Sequence, residues 1–353
     1  MILQAKFILS VLLVVLVTLV SLGQSRQDDA LRQFISGEEG AYADSLHELT
    51  IYVIPSVVKY KWDSPHSLYR SYIRNMRRSL FNNHTYLLGH AFVELRSPLI
   101  PGKLLTGMSA SSRKEQRQNV LKEHYGMAIL GAVLQGRMET LEELVEKKEK
   151  YARRGDLAFI RVWISEGAVI RLLRFFKTYH STFGNEEVSL PSYGGAFWPR
   201  YKSEGAGCSA FAVSFFDVAG IMRQHFDEWK IKIDIPMEII GGPYNDHHKV
   251  RIRDVKKLKS WSDGNGERHV TYEPFEIYDP SLMFDWIHDT WNIYRQEDDQ
   301  AIRPVIENDA YGLIFDARDI PVPNNEELFI ERPVRSVFID YYIQEFLAEP
   351  NPE

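Results

Sequence analysis

The chain contains a single cysteine, Cys208, in the run Ser203-Glu204-Gly205-Ala206-Gly207-Cys208-Ser209-Ala210-Phe211. A lone thiol closes no internal disulfide, so a covalent staple is excluded. The glycine-rich turn leads directly into an apolar stretch that reads as a helix to about Trp229. At a helix start, free backbone N–H groups and the positive end of the dipole stabilise a thiolate, the form in which cysteine is a nucleophile. Cysteine hydrolysis also needs a base within hydrogen-bond reach and a third group to orient the base. Of the eleven histidines, His90 is the best placed. It lies in a strand-like alternation, about His84 to Leu95, and the small residues Gly89 and Ala91 bracket it. One face of that strand carries Thr85, Leu87, Gly89, Ala91, Val93 and Leu95; the other carries His84, Tyr86, Leu88, His90, Phe92 and Glu94. His90 therefore points away from the apolar face. His124, His180, His225 and His288 have no comparable setting. Taken singly, Cys208 reads as a small buried apolar residue and His90 as a partly buried imidazole. Their joint occurrence in the right kinds of element favours a pair.

Several elements position these two residues. Leu49 to Tyr60, rich in Ile, Val and Tyr, reads as a strand. Asp63-Ser64-Pro65 starts a helix to about Leu80, basic on its outer face through Arg70, Arg74, Arg77 and Arg78. After the histidine strand, Gly102 to Glu123 reads as a polar loop, and Tyr125 to Gln135 as a central strand apolar on both faces. Met138 to Arg154 reads as a charged, solvated surface helix holding no site. Ala158 to Ser165 is a strand and Glu166 to His180 a helix. Asn185 to Ser203 is a loop whose Tyr193, Phe197, Trp198 and Tyr201 suit a cleft wall. In the Cys208 helix, apolar residues at Phe211, Phe215, Val218 and Met222 and again at Ala212, Phe216 and Ala219 mark a helix buried on two sides. Ile231 to Ile240 reads as a strand, and Gly241-Gly242-Pro243 as a break.

The segment Leu88-Gly89-His90-Ala91-Phe92-Val93-Glu94-Leu95, followed more than a hundred residues later by Gly207-Cys208-Ser209-Ala210-Phe211, resembles the circularly permuted papain-like proteins. These include the permuted NlpC-like hydrolases and the lecithin:retinol acyltransferase-like group, in which the histidine strand precedes the cysteine helix. The resemblance covers about residues 50 to 240 and implies an α+β fold, with an antiparallel sheet packed on the buried helix that carries the cysteine. It implies a Cys208–His90 site acting on amide or ester acyl bonds through a thioester. The sequence departs from the commonest pattern, since Gly207 stands where asparagine usually precedes the cysteine. A polar third residue is expected on the strand after His90, which nominates Gln135, with His124 next. Glu94 shares the face of His90 but lies about 13 Å along the strand, too far to orient the ring. In the implied mechanism His90 takes the thiol proton, the thiolate attacks a carbonyl, and the Cys208 N–H stabilises the oxyanion.

The remaining features bound the setting. Lys6, the apolar run Phe7 to Leu22 and the small exit Ser21-Leu22-Gly23 read as a signal peptide over residues 1–23, with an uncleaved membrane anchor as the alternative. A polar lead (24–48), a papain-like domain (49–240) and a C-terminal extension or small second domain (241–353) then follow. With 44% apolar and 25% charged residues the composition is that of a globular protein. A net charge of −6 without a long basic run argues against nucleic acid as a partner. Asn245-Asp246-His247-His248 lacks the spacing of a metal site, and no phosphate-loop or Gly-x-Ser-x-Gly pattern occurs. Neither metal nor cofactor is expected. The expected partner is a peptide or lipid-linked acyl substrate of an exported hydrolase or acyltransferase. The competing class is a non-catalytic envelope binding or structural protein that retains the fold.

Overall fold

The computed structural model describes residues 32–35, 46–82, 86–183, 191–296 and 301–348. The signal segment and most of the polar lead lie outside the described residues. In chain order the elements are β1 (His47–Ile54), α1 (Pro65–Asn82), β2 (His90–Arg96), β3 (Lys103–Ala110), α2 (Arg113–Leu121), β4 (Gly136–Glu139), α3 (Leu141–Ala152), β5 (Ala158–Ile164) and α4 (Glu166–Phe183). They continue with α5 (Cys208–Ala219), β6 (Lys230–Pro236), α6 (Ile252–Lys257), β7 (Tyr272–Tyr278), α7 (Pro280–Tyr294), β8 (Ile302–Glu307), β9 (Ala310–Asp316) and α8 (Val337–Tyr342).

The architecture is α+β. Seven strands form one sheet in the order β4-β3-β2-β1-β5-β9-β8, and β6 pairs with β7 in a separate ribbon. The sheet is mixed, which corrects the expectation of an antiparallel one. β9 joins β5 in parallel, while the other neighbours run antiparallel. Two strands of the C-terminal third thus complete the sheet. The β6–β7 ribbon spans the Gly241-Gly242-Pro243 break.

The period-two pattern of β2 divides its residues as the pleat requires. Ala91, Val93 and Leu95 enter the main core with β1, β5, α4 and α5. Phe92 packs with Tyr52, Ile54, Leu105 and Tyr151 on the opposite face, which α3 covers. That second face is buried too: His90 and Glu94 are each 1% exposed.

Helix α5 forms where Gly207, in extended backbone, turns into the apolar run, and it stops at Gly220 in a left-handed conformation. It ends ten residues before Trp229 for that reason.

Two corrections bear on the site. The segment Gly102–Glu123 is not a loop; it contains β3 and α2. The apolar run Tyr125–Gln135 is not a strand. Gly126, at φ 58°, and Gly131 bracket a 3-10 turn over Met127–Leu130. Its apolar side chains pack into a second core with Ile235, Phe275 and Phe338. The strand next to β3 is β4, a few residues later.

Candidate active site

Cys208 is the first residue of α5, and no side chain caps that helix. Its first-turn N–H groups have no intrahelical acceptor, as at every helix start. The turn that delivers it packs tightly. The Ala206 N–H donates to the Ser192 carbonyl at 2.9 Å, and a Cβ on Gly205 would lie 2.0 Å from that same oxygen. Only glycine fits there.

His90 opens β2. Its Nε2 is 2.6 Å from Glu139 Oε2, with both side chains at most 2% exposed. Glu139 is the last residue of β4. The two meet across β3, where Gly107 pairs with Phe92 on one side and Glu139 on the other. A Cβ at Gly107 would lie 2.9 Å from Glu139 Oε2 and 3.7 Å from His90 Nε2. The missing side chain is the space in which imidazole and carboxylate touch.

The second carboxylate oxygen is also held. Tyr86 Oη and Lys147 Nζ both donate to Glu139 Oε1 at 2.8 Å. The Tyr86 ring also stacks on the His90 ring, with centroids 3.9 Å apart and planes 6° from parallel. One tyrosine thus fixes the plane of the base and one oxygen of its partner.

With Nε2 engaged by Glu139, Nδ1 is the nitrogen left for the thiol. The Cys208 thiol adjoins the His90 ring, and each favours the charged form of the other. Burial by itself opposes charge on both. For His90, the Glu139 charge and the hydrogen bonds to Cys208 and Glu139 outweigh burial and lift its pKa to about 9. For Cys208, burial is outweighed by the hydrogen bond and charge of His90, with further hydrogen bonds from the Tyr193 side chain and the Ala91 backbone, so its pKa falls below the ordinary thiol value. Against burial, the His90 and Lys147 charges hold Glu139 well below the usual carboxylate range. Burial and the neighbouring thiol push Tyr193 up, which keeps its hydroxyl protonated and able to donate. Both shifts favour the thiolate–imidazolium form of the pair, oriented by a carboxylate.

Cys208 is half-buried and opens on a cavity of about 490 Å³. Aromatic and aliphatic side chains, among them Tyr69, Tyr72, Leu130, Trp198 and Ile277, form much of its wall. The charged residues that line it are already engaged. Asp217 pairs with Arg200 at 2.7 Å, Lys230 with Glu276 at 3.3 Å and Arg332 with Glu204 at 2.5 Å, while Asp279 accepts from Trp62 Nε1 at 2.8 Å. The aromatic loop ahead of the cysteine contributes Tyr193, Phe197, Trp198 and Tyr201 to this wall.

Of the four residues nominated from sequence, the structure brings His90 and Cys208 together and leaves Gln135 and His124 apart. Gln135 is exposed just before β4, and its backbone N–H donates to the Glu115 carboxylate at 3.2 Å. It precedes Glu139 by four residues, about 13 Å of strand. His124 sits at φ 56° on the turn after α2, where its carbonyl accepts from the Val250 N–H at 2.9 Å. Neither shares a hydrogen bond with His90 or Cys208 among the described residues. Glu139 was obscured because Met138 to Arg154 reads as one charged helix. The signal that separates them is Thr140-Leu141-Glu142-Glu143. Thr140 and Glu143 form a reciprocal capping box, so the helix begins after Thr140 and Glu139 stays in the strand.

No family model matches the chain, and no curated protein or solved structure matches it. Among the described residues, no helix is long and apolar enough to cross a membrane.

Proposed function

We propose that the protein is a thiol-dependent hydrolase or acyltransferase of amide or ester bonds, built on a permuted papain-like arrangement with His90, Glu139 and Cys208 in chain order. One observation carries this reading: a cysteine at a helix start, paired with a buried histidine whose other nitrogen lies 2.6 Å from a buried carboxylate.

Chemistry follows from these roles. The Cys208 thiolate attacks the substrate carbonyl carbon, forming a C–S bond as the carbonyl π electrons move onto oxygen. The Cys208 N–H and the Tyr193 hydroxyl donate to that oxyanion. The imidazolium of His90 gives its proton to the leaving nitrogen or oxygen as the tetrahedral intermediate collapses to a thioester. Neutral His90 then takes a proton from water or a second acceptor, whose oxygen or nitrogen attacks the thioester and returns the thiolate. Glu139 stays ionised throughout and holds the ring in one orientation.

The cavity supports an acyl group with little charge, because its lining charges are already paired within the protein. The apolar run Phe7 to Leu22 supports export.

Incubation with an activated acyl ester, followed by intact-mass analysis, tests this reading. Wild type is expected to gain one acyl group on Cys208 and to turn over, while Cys208→Ala gains none and loses activity by on the order of 10⁴-fold or more. Failure of Cys208 to acylate with any ester or amide tested would leave a non-catalytic binding protein.

A further inference from the structure

The turn that delivers Cys208 is anchored by a side chain 128 residues beyond it. Glu204, 4% exposed, is buried just ahead of that turn. Arg332 grips it as a fork: Nε donates to Glu204 Oε1 at 2.5 Å and Nη2 to Oε2 at 2.6 Å. The same Nη2 donates to the Ala196 carbonyl at 2.9 Å, and the guanidinium lies over the Tyr201 ring, 4.3 Å from its centroid. The Trp198 N–H also donates to Glu204 Oε2, at 3.1 Å. One side chain thus holds the loop at Ala196, Tyr201 and Glu204. Arg332, Ala196 and Tyr201 all line the cavity on which Cys208 opens.

The segment that carries Arg332 is itself fastened to this loop. The Ile330 N–H donates to the Arg200 carbonyl at 2.8 Å, and the Lys202 N–H donates to the Ile330 carbonyl at 3.0 Å. Tyr342 Oη donates to the Ser203 carbonyl at 3.1 Å. Between Glu204 and Cys208 the path has little slack, because Gly205 is pressed on the Ser192 carbonyl and the Ala206 N–H donates to that oxygen at 2.9 Å. A shift of Glu204 is therefore passed to the start of α5. The mutual stabilisation of thiolate and imidazolium falls with distance, so a displaced Cys208 loses part of it. Lysine at 332 would keep the charge but not the planar fork that holds both carboxylate oxygens.

We propose that Arg332 is a positioning residue for the Cys208–His90 pair, acting through Glu204, so that the C-terminal segment belongs to the active site. This role rests on the thiol chemistry proposed above.

Iodoacetamide alkylation of Arg332→Lys across pH, together with steady-state kinetics on an activated acyl ester, tests it. The variant should alkylate Cys208 with an apparent pKa about one unit above that of wild type, and so about tenfold more slowly at neutral pH. Its kcat should fall by up to about 10²-fold, the scale of a small misplacement, with KM little changed. Arg161→Lys breaks an equivalent fork, Arg161 on Glu307 at 2.8 Å beside a different cavity, and should leave both readouts at wild-type values. If Arg332→Lys does not fold, Glu204→Gln and Arg332→Gln together remove the pair without stranding a buried charge and should give the same shift. A folded variant with the wild-type alkylation profile and kcat would overturn the proposal. So would a rise in KM alone, which would make Arg332 a substrate-binding residue. A wild-type thiol that titrates like a free cysteine would overturn the thiol chemistry, and this proposal with it, before any variant is compared.

Discussion

Helix α3 supplies consecutive lysines to two buried carboxylates on one face of the sheet, and one difference between the two clusters decides their chemistry. Glu139 accepts from Lys147 and from the Tyr86 hydroxyl. Glu94 accepts from Lys148 at 2.9 Å and from Arg96 at 2.5 Å, and Lys148 also donates to the Tyr52 hydroxyl. Each cluster has a stacked aromatic pair: Tyr86 on His90 at 3.9 Å and Tyr52 on Phe92 at 5.1 Å. Both carboxylates are held below their ordinary pKa, in each case because nearby cations outweigh burial. Where one cluster has Phe92, however, the other has His90. One imidazole connects Glu139 to a thiol that opens on a cavity, whereas Glu94 meets only permanent charges. The same scaffold is structural in one place and sets a proton in the other.

The largest contrast should come from neutralising each carboxylate. Glu139→Gln removes the charge that lifts His90, so kcat/KM should fall by about 10²- to 10⁴-fold. The basic limb of the pH–rate profile should also move from about 9 toward the ordinary histidine value near 6.5. Glu94→Gln should leave that limb in place and instead cost about 3 kcal/mol of stability, because it strands buried cations. A basic limb that moves in both variants, or in neither, would erase the distinction.

Linkage gives the next effect. The folded-state pKa of His90 is raised, so its contribution to stability is complete below about 6.5 and is lost as pH rises through about 9. Wild type should lose about 2–3 kcal/mol across that window relative to His90→Asn, measured by denaturant unfolding at several pH values. Replacing Phe92 in the neighbouring cluster should leave the slope unchanged.

The lysines give the smallest effect. Removing a positive charge raises the pKa of every group beside it, so Lys147→Gln should shift both limbs of the profile upward by up to about one unit. Lys147→Arg should restore them, and Lys148→Gln, facing Glu94, should not move them. A fall in activity without a limb shift would make Lys147 a packing residue only.

Legibility in the sequence followed the strength of local patterns. The alternation over about His84 to Leu95 and the glycine turn before Cys208 are signals confined to one element each. The strand forms only over His90–Arg96, after Gly89 at φ 80°, and the helix starts at Cys208 but ends at Ala219 rather than near Trp229. Partnership between elements was harder to read. Gln135 was nominated because an apolar run resembles a strand, yet that run faces a second core and turns at Gly126 and Gly131. Glu139 lies in a four-residue strand bounded by charged neighbours, too short for alternation to register. Its role depends on Gly107, which sequence alone cannot assign to the space between a carboxylate and an imidazole. The parallel β5–β9 pairing is likewise a long-range choice with no local mark.

The most direct test is the pH dependence of alkylation by iodoacetamide, which reports Cys208 alone because the chain has one cysteine. A thiolate held by His90 should react with an apparent pKa well below the free-thiol value of about 8.5, and His90→Ala should return it to that value or above. A native thiol that titrates like a free or buried cysteine, unmoved by His90→Ala, would contradict the thiolate–imidazolium pair and the chemistry built on it.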